Sequence, residues 1–377
     1  MGLRTLFWLF VAGSVYSYVL YPLTLLVLPR RGARPAESPA GATPKVTLVI
    51  ACRNESARLR HKLDNALAVD YPALEILVAS DASDDGSDDI VREYAGRGVH
   101  LVRSPERLGK EHAQGLAIRQ ASGEIVVFTD AGTDLPQDSV RHIVADFADP
   151  RVGAVSSEDT FISADGSIAG EGAYVRYEMW LRRLEASVHS LVGLSGSFFA
   201  ARRSVLQDWH DSIPSDFATA INTVRAGQVA ISDPRVRGIY RDVKDPSREY
   251  PRKVRTALRG MAALAHTPEV LNPFRYGVFS FQMFGHKVTR WLVPWFLLGV
   301  LATSTALAVQ SDFFRAVLWL QLGGYGLVLA AHWSRGLRQI GLLRIAYYFV
   351  QVNVAVGHAG LRFLRGERVR TWDPSVR

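Results

Sequence analysis

At 377 residues with a single cysteine, the chain exceeds one typical domain and excludes an intrachain disulfide framework or a cysteine-held metal site. Its formal net charge of +8 comes from 44 Lys and Arg against 36 Asp and Glu, but the basic residues gather beside apolar runs. Arg30, Arg31 and Arg34 follow the first run, Arg335, Arg338 and Arg344 a later one, and Arg362, Arg365, Arg368 and Arg370 close the chain. The positive-inside rule accounts for such flanks, so the charge is assigned to membrane topology and not to nucleic acid.

From Leu6 to Leu28 no residue is charged, a length that crosses a hydrocarbon core of about 30 Å. No short apolar core with a small-residue cleavage site marks a signal peptide, so residues 1–30 are read as a retained anchor that leaves residue 30 onward in the cytoplasm. Residues 31–44, rich in Pro, Ala, Gly and Ser, read as a linker. Strands and helices then alternate: strand 46–51, helix 56–68, strand 75–80, helix 87–95, strand 99–103, helix 110–121, strand 124–129, helix 137–147. Such alternation predicts βαβ units and a mainly parallel sheet with helices on both faces. Cys52, inside the first strand, is expected to be a small core residue.

After Asp149 the rhythm changes to strand 152–156, helix 174–191, strand 198–201, helix 216–225 and strand 229–231. Residues 269–290 mix Phe and Met with His286, Lys287 and Arg290 and are expected to be interfacial amphipathic helices. Two apolar runs, Trp291–Gln310 and Ala316–Trp333, and a weaker one, Ile345–Leu361, follow. If all three crossed, the Arg-rich C-terminus would lie outside against the charge rule. Ile345–Leu361 is therefore expected to be interfacial or re-entrant.

Three strand ends carry the chemistry. The run Glu124-Ile-Val-Val-Phe-Thr ends at Asp130, with Ala131, Gly132, Thr133 and Asp134 after it. Glu75-Ile-Leu-Val-Ala-Ser ends at Asp81, and Val46-Thr-Leu-Val-Ile-Ala-Cys-Arg at Asn54 and Glu55. Ligands in parallel α/β sheets bind beyond the carboxyl ends of the strands, so these polar ends are expected on one rim. Turn or cap roles compete for each of them, and Asp84 and Asp85 are read as capping or solvated.

The ordered segments VTLVIACRNE at 46–55, EILVASDASDDGS at 75–87, RLGKEHAQGLAIRQASGEIVVFTDAGTD at 107–134 and SDF at 215–217 resemble the family 2 glycosyltransferases of the membrane-bound branch. The resemblance implies a GT-A fold, a Rossmann-like, mainly parallel sheet flanked by helices, over a catalytic domain at 45–268. It is joined to N- and C-terminal transmembrane helices, the latter in a region 291–377 with a basic tail. It implies a nucleotide-sugar donor read by Asn54, Glu55, Asp81 and Lys110, and Mg²⁺ or Mn²⁺ on Asp130 at the donor's phosphates. Gly132 stands where the family's Asp-x-Asp motif has its second carboxylate, and Asp134 lies too far along to replace it. Asp216 matches the general base of inverting members. Gly109, Ser195 and Gly196, with Arg252 and Arg255 in place of a Gln/Arg-x-x-Arg-Trp segment, are the expected diphosphate- or acceptor-side residues.

The reading that follows is a multi-pass protein of the bacterial plasma membrane that moves a sugar to a lipid-linked or glycan acceptor. It meets membrane lipids and no nucleic acid, with a homo-oligomer or an export partner as candidate assembly. A processive polysaccharide synthase and a non-catalytic nucleotide-binding scaffold are the alternatives.

Overall fold

The computed structural model describes residues 2–32, 43–162, 173–241 and 246–369. Of the expected linker, residues 33–42 lie outside the described residues, as does the tail from Arg370 onward. The described residues divide into two units: those within 28–241 with 263–280, and those within 2–27 with 246–262 and 281–368.

The first unit is built on one sheet. Strands β1 (Val46–Cys52), β2 (Leu74–Ser80), β3 (Val99–Arg103), β4 (Ile125–Asp130), β5 (Thr133–Asp134), β6 (Val152–Ile162), β7 (Phe198–Arg202) and β8 (Val229–Arg241) lie in the order β3-β2-β1-β4-β7-β6-β8-β5. β1 is buried over its whole length, as its unbroken apolar run requires, and Cys52 is buried within it. β1 pairs in parallel with β2 and β4, and β2 with β3. β7 then runs antiparallel to both β4 and β6, which makes the sheet mixed. That reversal sets Thr129 opposite Phe198, so the carboxyl end of β4 meets the chain entering β7.

Helices α1 (Ser56–Leu67), α2 (Ser87–Glu93), α3 (Lys110–Gln120), α4 (Ser139–Asp146), α5 (Ala173–Val188) and α6 (Ser215–Arg225) cover both faces of this Rossmann-like fold. Leu59 and Leu63 of α1, Val91 of α2 and Ile143 of α4 pack with Leu48 and Ile50 on one face. Ala113 and Ala117 of α3 and Ala220 of α6 pack with Val49 and Phe199 on the other. The alternation of Leu48, Val49 and Ile50 between the two clusters is the period of two of a strand buried on both sides.

In the second unit, Leu3–Val27, Val278–Leu307 and Asp312–Trp333 are long and apolar enough to cross a membrane. The middle helix runs on from Val278 through a π-turn at Phe284–Val288, so residues 278–290 of the segment 269–290 expected to be interfacial continue into the apolar helix, while Pro268–Leu271 and Pro273–Tyr276 are separate short turns. Close helix approach is made at glycines: a Cβ on Gly13 would meet the Phe296 ring at 2.7 Å, and one on Gly299 the Phe10 ring at 2.6 Å. The weaker run falls in the helix Gly341–Leu364, whose Gln351 and His358 accept or share hydrogen bonds with Lys253 and Tyr250 of the helix Pro246–His266.

Leu63, with no exposed surface in the α1 side of the core, sets the scale of packing. Leu63→Ala is expected to destabilise the protein by about 2–5 kcal/mol. A thermal melt of the purified full-length chain that leaves the midpoint unchanged would contradict this placement of α1.

Candidate active site

At the end of β1 the backbone turns sharply, with Asn54 in the left-handed region at φ 54°. The Asn54 side chain accepts from the Asp84 N–H at 3.1 Å and donates to the Asp84 carboxylate at 2.7 Å. The Glu55 N–H donates to Ser87 Oγ at 2.9 Å, and the buried Glu55 carboxylate pairs with Arg58 at 2.6 Å. Asp85 accepts from the Ser87 and Ser56 N–H groups, each at 3.0 Å. Burial raises its pKa, but these bonds and the Ser87 hydroxyl outweigh it and hold the carboxyl at about 2. Asn54 and Glu55 thus knit the β1 end to the loop after β2, and Asp85 serves as a cap.

Asp81, at the end of β2, is buried. Its Oδ1 accepts from the Leu108 N–H at 2.9 Å and the Gly109 N–H at 3.0 Å. This carboxylate fixes the turn into α3, whose cap Gly109 sits at φ 105°, a conformation that a side chain would strain. Lys110 is the first helical residue and reaches away from the helix. Its Nζ lies 2.5 Å from Asp130 Oδ1 and donates to the Gly196 carbonyl at 2.8 Å.

The antiparallel entry to β7 completes the cluster. The Asp130 N–H donates to the Ser197 carbonyl at 3.1 Å, holding the loop Ser195–Ser197 against the end of β4. Gly196 is exposed, and a Cβ placed on it would lie 3.4 Å from Asp216 Oδ2. Asp216 lies inside the first turn of α6, where the capping position is Pro214. Asp81, Lys110, Asp130 and Gly196 are therefore linked in succession, and the bare face of Gly196 turns toward Asp216. Arg252 and Arg255 lie on the helix Pro246–His266, in the unit of apolar helices.

Two groups that sequence reasoning missed support this rim. Lys62 of α1 is fully buried and donates to Thr129 Oγ1 at 3.1 Å and to the Thr133 carbonyl, clamping both sides of the Asp130 turn. Burial brings its pKa down to about 7, partly offset by Asp134 and Asp130. The signal was available: Lys62 stands three residues after Leu59 on a helix face whose other members are apolar. The second group is Asp159 of β6, which accepts from Ser195 Oγ at 2.7 Å. Burial raises its pKa despite Arg182 and three hydroxyl donors.

Among the described residues no three His, Cys, Asp or Glu side chains converge to hold a metal. Asp134, on β5, shares a hydrogen bond with His61 at 3.0 Å. Asp130 is the single carboxylate at the rim position of the Asp-x-Asp motif. A hard divalent ion can be held by one carboxylate together with waters and a ligand's phosphate oxygens, so the donor set fits an ion that arrives with a diphosphate.

The profile of the family described as Glycosyl transferase family 2 matches residues 47–209. A poly-beta-1,6-N-acetyl-D-glucosamine synthase of Staphylococcus epidermidis is 27% identical over 227 residues, 57% of this chain and 53% of that protein. The Staphylococcus aureus (strain COL) synthase of the same name is 29% identical over 184 residues, 46% of this chain and 44% of its own. The chain thus spans about half the length of the curated relatives it matches. Among solved structures, the mannosyltransferase PcManGT of Pyrobaculum calidifontis, in complex with GDP-Man and Mn²⁺, superposes with a TM-score of 0.72 at 25% identity, covering 97% of this chain and 100% of that one. Residues 47–209 thus carry the match to Glycosyl transferase family 2, and the sheet order and the superposition give the chain a GT-A fold.

Proposed function

We propose that the chain is a membrane-bound inverting glycosyltransferase that moves a sugar from a nucleotide-sugar donor to a lipid-linked or glycan acceptor. The observation that carries this reading is the contiguity of Lys110, Asp130, Gly196 and Asp216: a cation and carboxylate adjoin a bare backbone segment that faces a second carboxylate. Asn54, Glu55 and Asp81 form the nucleotide side of this rim. Lys110, at the amino end of α3, favours the donor's diphosphate, since a fixed ammonium and a helix N-terminus both attract phosphate. A divalent ion on Asp130, when bound, would neutralise charge on the departing diphosphate.

On the other side, Gly196 leaves room for an acceptor hydroxyl beside Asp216. Asp216 takes the hydroxyl proton as that oxygen attacks the anomeric carbon from the face opposite the leaving diphosphate, which inverts the configuration. Poly-N-acetylglucosamine synthase relatives favour a glycan as acceptor and, as a second reading, processive chain growth. Product length made by the purified protein separates processive growth from single transfer.

The three apolar helices support a membrane location, and three crossings agree with the charge rule. With residue 30 inside, Val278–Leu307 leads out and Asp312–Trp333 returns, so the helix Gly341–Leu364 and the Arg-rich end lie in the cytoplasm.

Asp216→Asn is expected to lower transfer by about 10²–10⁴-fold while nucleotide diphosphate binding is retained. Transfer at the parental rate would remove Asp216 as the base. For topology, green fluorescent protein fused after Arg377 is expected to fluoresce and alkaline phosphatase at the same point to be inactive; the opposite pair of results would place the C-terminus outside.

A further inference from the structure

The loop Ser195–Ser197 is where the site's contacts meet, and what holds it lies beneath it. Its Gly196 carbonyl accepts Lys110, its Ser197 carbonyl accepts the Asp130 N–H, and its Gly196 Cα faces Asp216. These contacts hold the loop at the rim, and a second set has to anchor it from beneath. That task falls to its two serines. Ser195 is buried; its N–H donates to Ser156 Oγ at 2.7 Å and its hydroxyl to Asp159 Oδ1 at 2.7 Å. The Ser197 hydroxyl bonds the Tyr240 hydroxyl, and Tyr240 in turn donates to Asp159 Oδ1 at 3.2 Å. A third hydroxyl, that of Ser157, donates to the same oxygen at 3.2 Å. Arg182 of α5 braces the assembly by donating to Ser156 Oγ at 2.5 Å.

We propose that Asp159 and Tyr240 are a positioning pair that sets the Ser195–Ser197 loop, and through Gly196 fixes the spacing between the Lys110–Asp130 pair and Asp216. This rests on the reading of Asp216 as the acceptor-side base. One carboxylate oxygen gathers three hydroxyls from β6, from the loop and from β8, so the loop's height above the sheet is set at a single atom. Tyr240 adds a second tie, because in the β5–β8 pairing it lies opposite Thr133, the residue whose carbonyl Lys62 holds. The two loops that carry Gly196 and Asp130 are thus referred to one tyrosine. Such fixed spacing matters because a reacting geometry displaced by a single ångström costs rate out of proportion to the stability involved.

The gathering atom is an acceptor, which separates position from charge. Asn in place of Asp159 keeps an oxygen at that point, whereas Leu of similar size keeps none. With the full-length protein in detergent, supplied with Mn²⁺ and either UDP-N-acetylglucosamine or GDP-mannose as donor, Asp159→Leu is expected to lower kcat by about ten- to a hundredfold with donor KM unchanged. Asp159→Asn is expected to recover most of that loss. Amide hydrogen exchange supplies the readout that does not depend on the chemistry: in Asp159→Leu the peptide spanning Ser195–Ser197 should exchange at least about tenfold faster while β1 and β4 keep their protection.

Unchanged loop exchange in Asp159→Leu, or parental kcat in that variant, overturns the positioning pair. So does an Asn variant as impaired as Leu, which would make the charge itself the working feature. Where Asp159→Leu does not fold, Tyr240→Phe carries the same two readouts with one hydroxyl removed. Parental transfer by Asp216→Asn would overturn the base alone, and the exchange measurement would still decide the loop.

Discussion

A single ammonium group organises the site. Lys110 reaches from the first turn of α3 to the Asp130 carboxylate at 2.5 Å and the Gly196 carbonyl at 2.8 Å, joining the parallel half of the sheet to the antiparallel half. The pair is largely withdrawn from solvent, Lys110 at 13% and Asp130 at 27% side-chain exposure, so neither group is screened as a surface ion pair would be. Around it, each strand end contributes one fixed element. Asp81 holds the backbone before Lys110, Lys62 holds the Thr129 hydroxyl and the Thr133 carbonyl on either side of Asp130, and Asp159 holds the loop that carries Gly196.

With the rim organised in this way, the replacement of the second Asp-x-Asp carboxylate by Gly132 changes less than the motif alone implies. Asp134, the other acidic residue of the segment, is directed to His61 and paired through β5 with β8. Within the motif the carboxylate at the rim is Asp130, and its immediate partner is Lys110. A ligand that brings its own phosphate oxygens supplies the donors that such a rim lacks. In the proposed mechanism the Lys110–Asp130 contact is the one that the donor's diphosphate shares.

The first half of the fold was legible because β1, β4 and β2 after Glu75 are buried and read as apolar runs that end at a polar residue, whereas β3, Val-His-Leu-Val-Arg, is buried only at Val99 and Val102 and was marked by its place in the alternation. The second half was legible only in part. β6 and β8 extend to Ile162 and Arg241, well past the short apolar cores that marked them, because Glu158, Asp159, Arg235 and Arg237 interrupt the pattern. The antiparallel sense of β7 could not be read either, since strand direction is a property of pairing and leaves no local signal. At the candidate site, residues that follow a strand directly could be named from the sequence, whereas Lys62, Asp159 and Tyr240 could not. Their role depends on contacts between segments far apart in sequence, although a lysine on an apolar helix face is a conflict between local pattern and burial, and such conflicts concentrate at functional sites. The helix Pro246–His266 was missed altogether; its interior Pro251 and dense basic residues obscure a strongly amphipathic pattern.

The proposed mechanism, with a cation on one side of the sugar and Asp216 as base on the other, makes one stereochemical commitment. The anomeric configuration of the product, determined by nuclear magnetic resonance on material made by the purified full-length chain from a donor of known anomeric configuration, tests it directly. The account predicts complete inversion relative to the donor. Retention of configuration would contradict it, because a single displacement assisted by Asp216 cannot return the sugar to its original face.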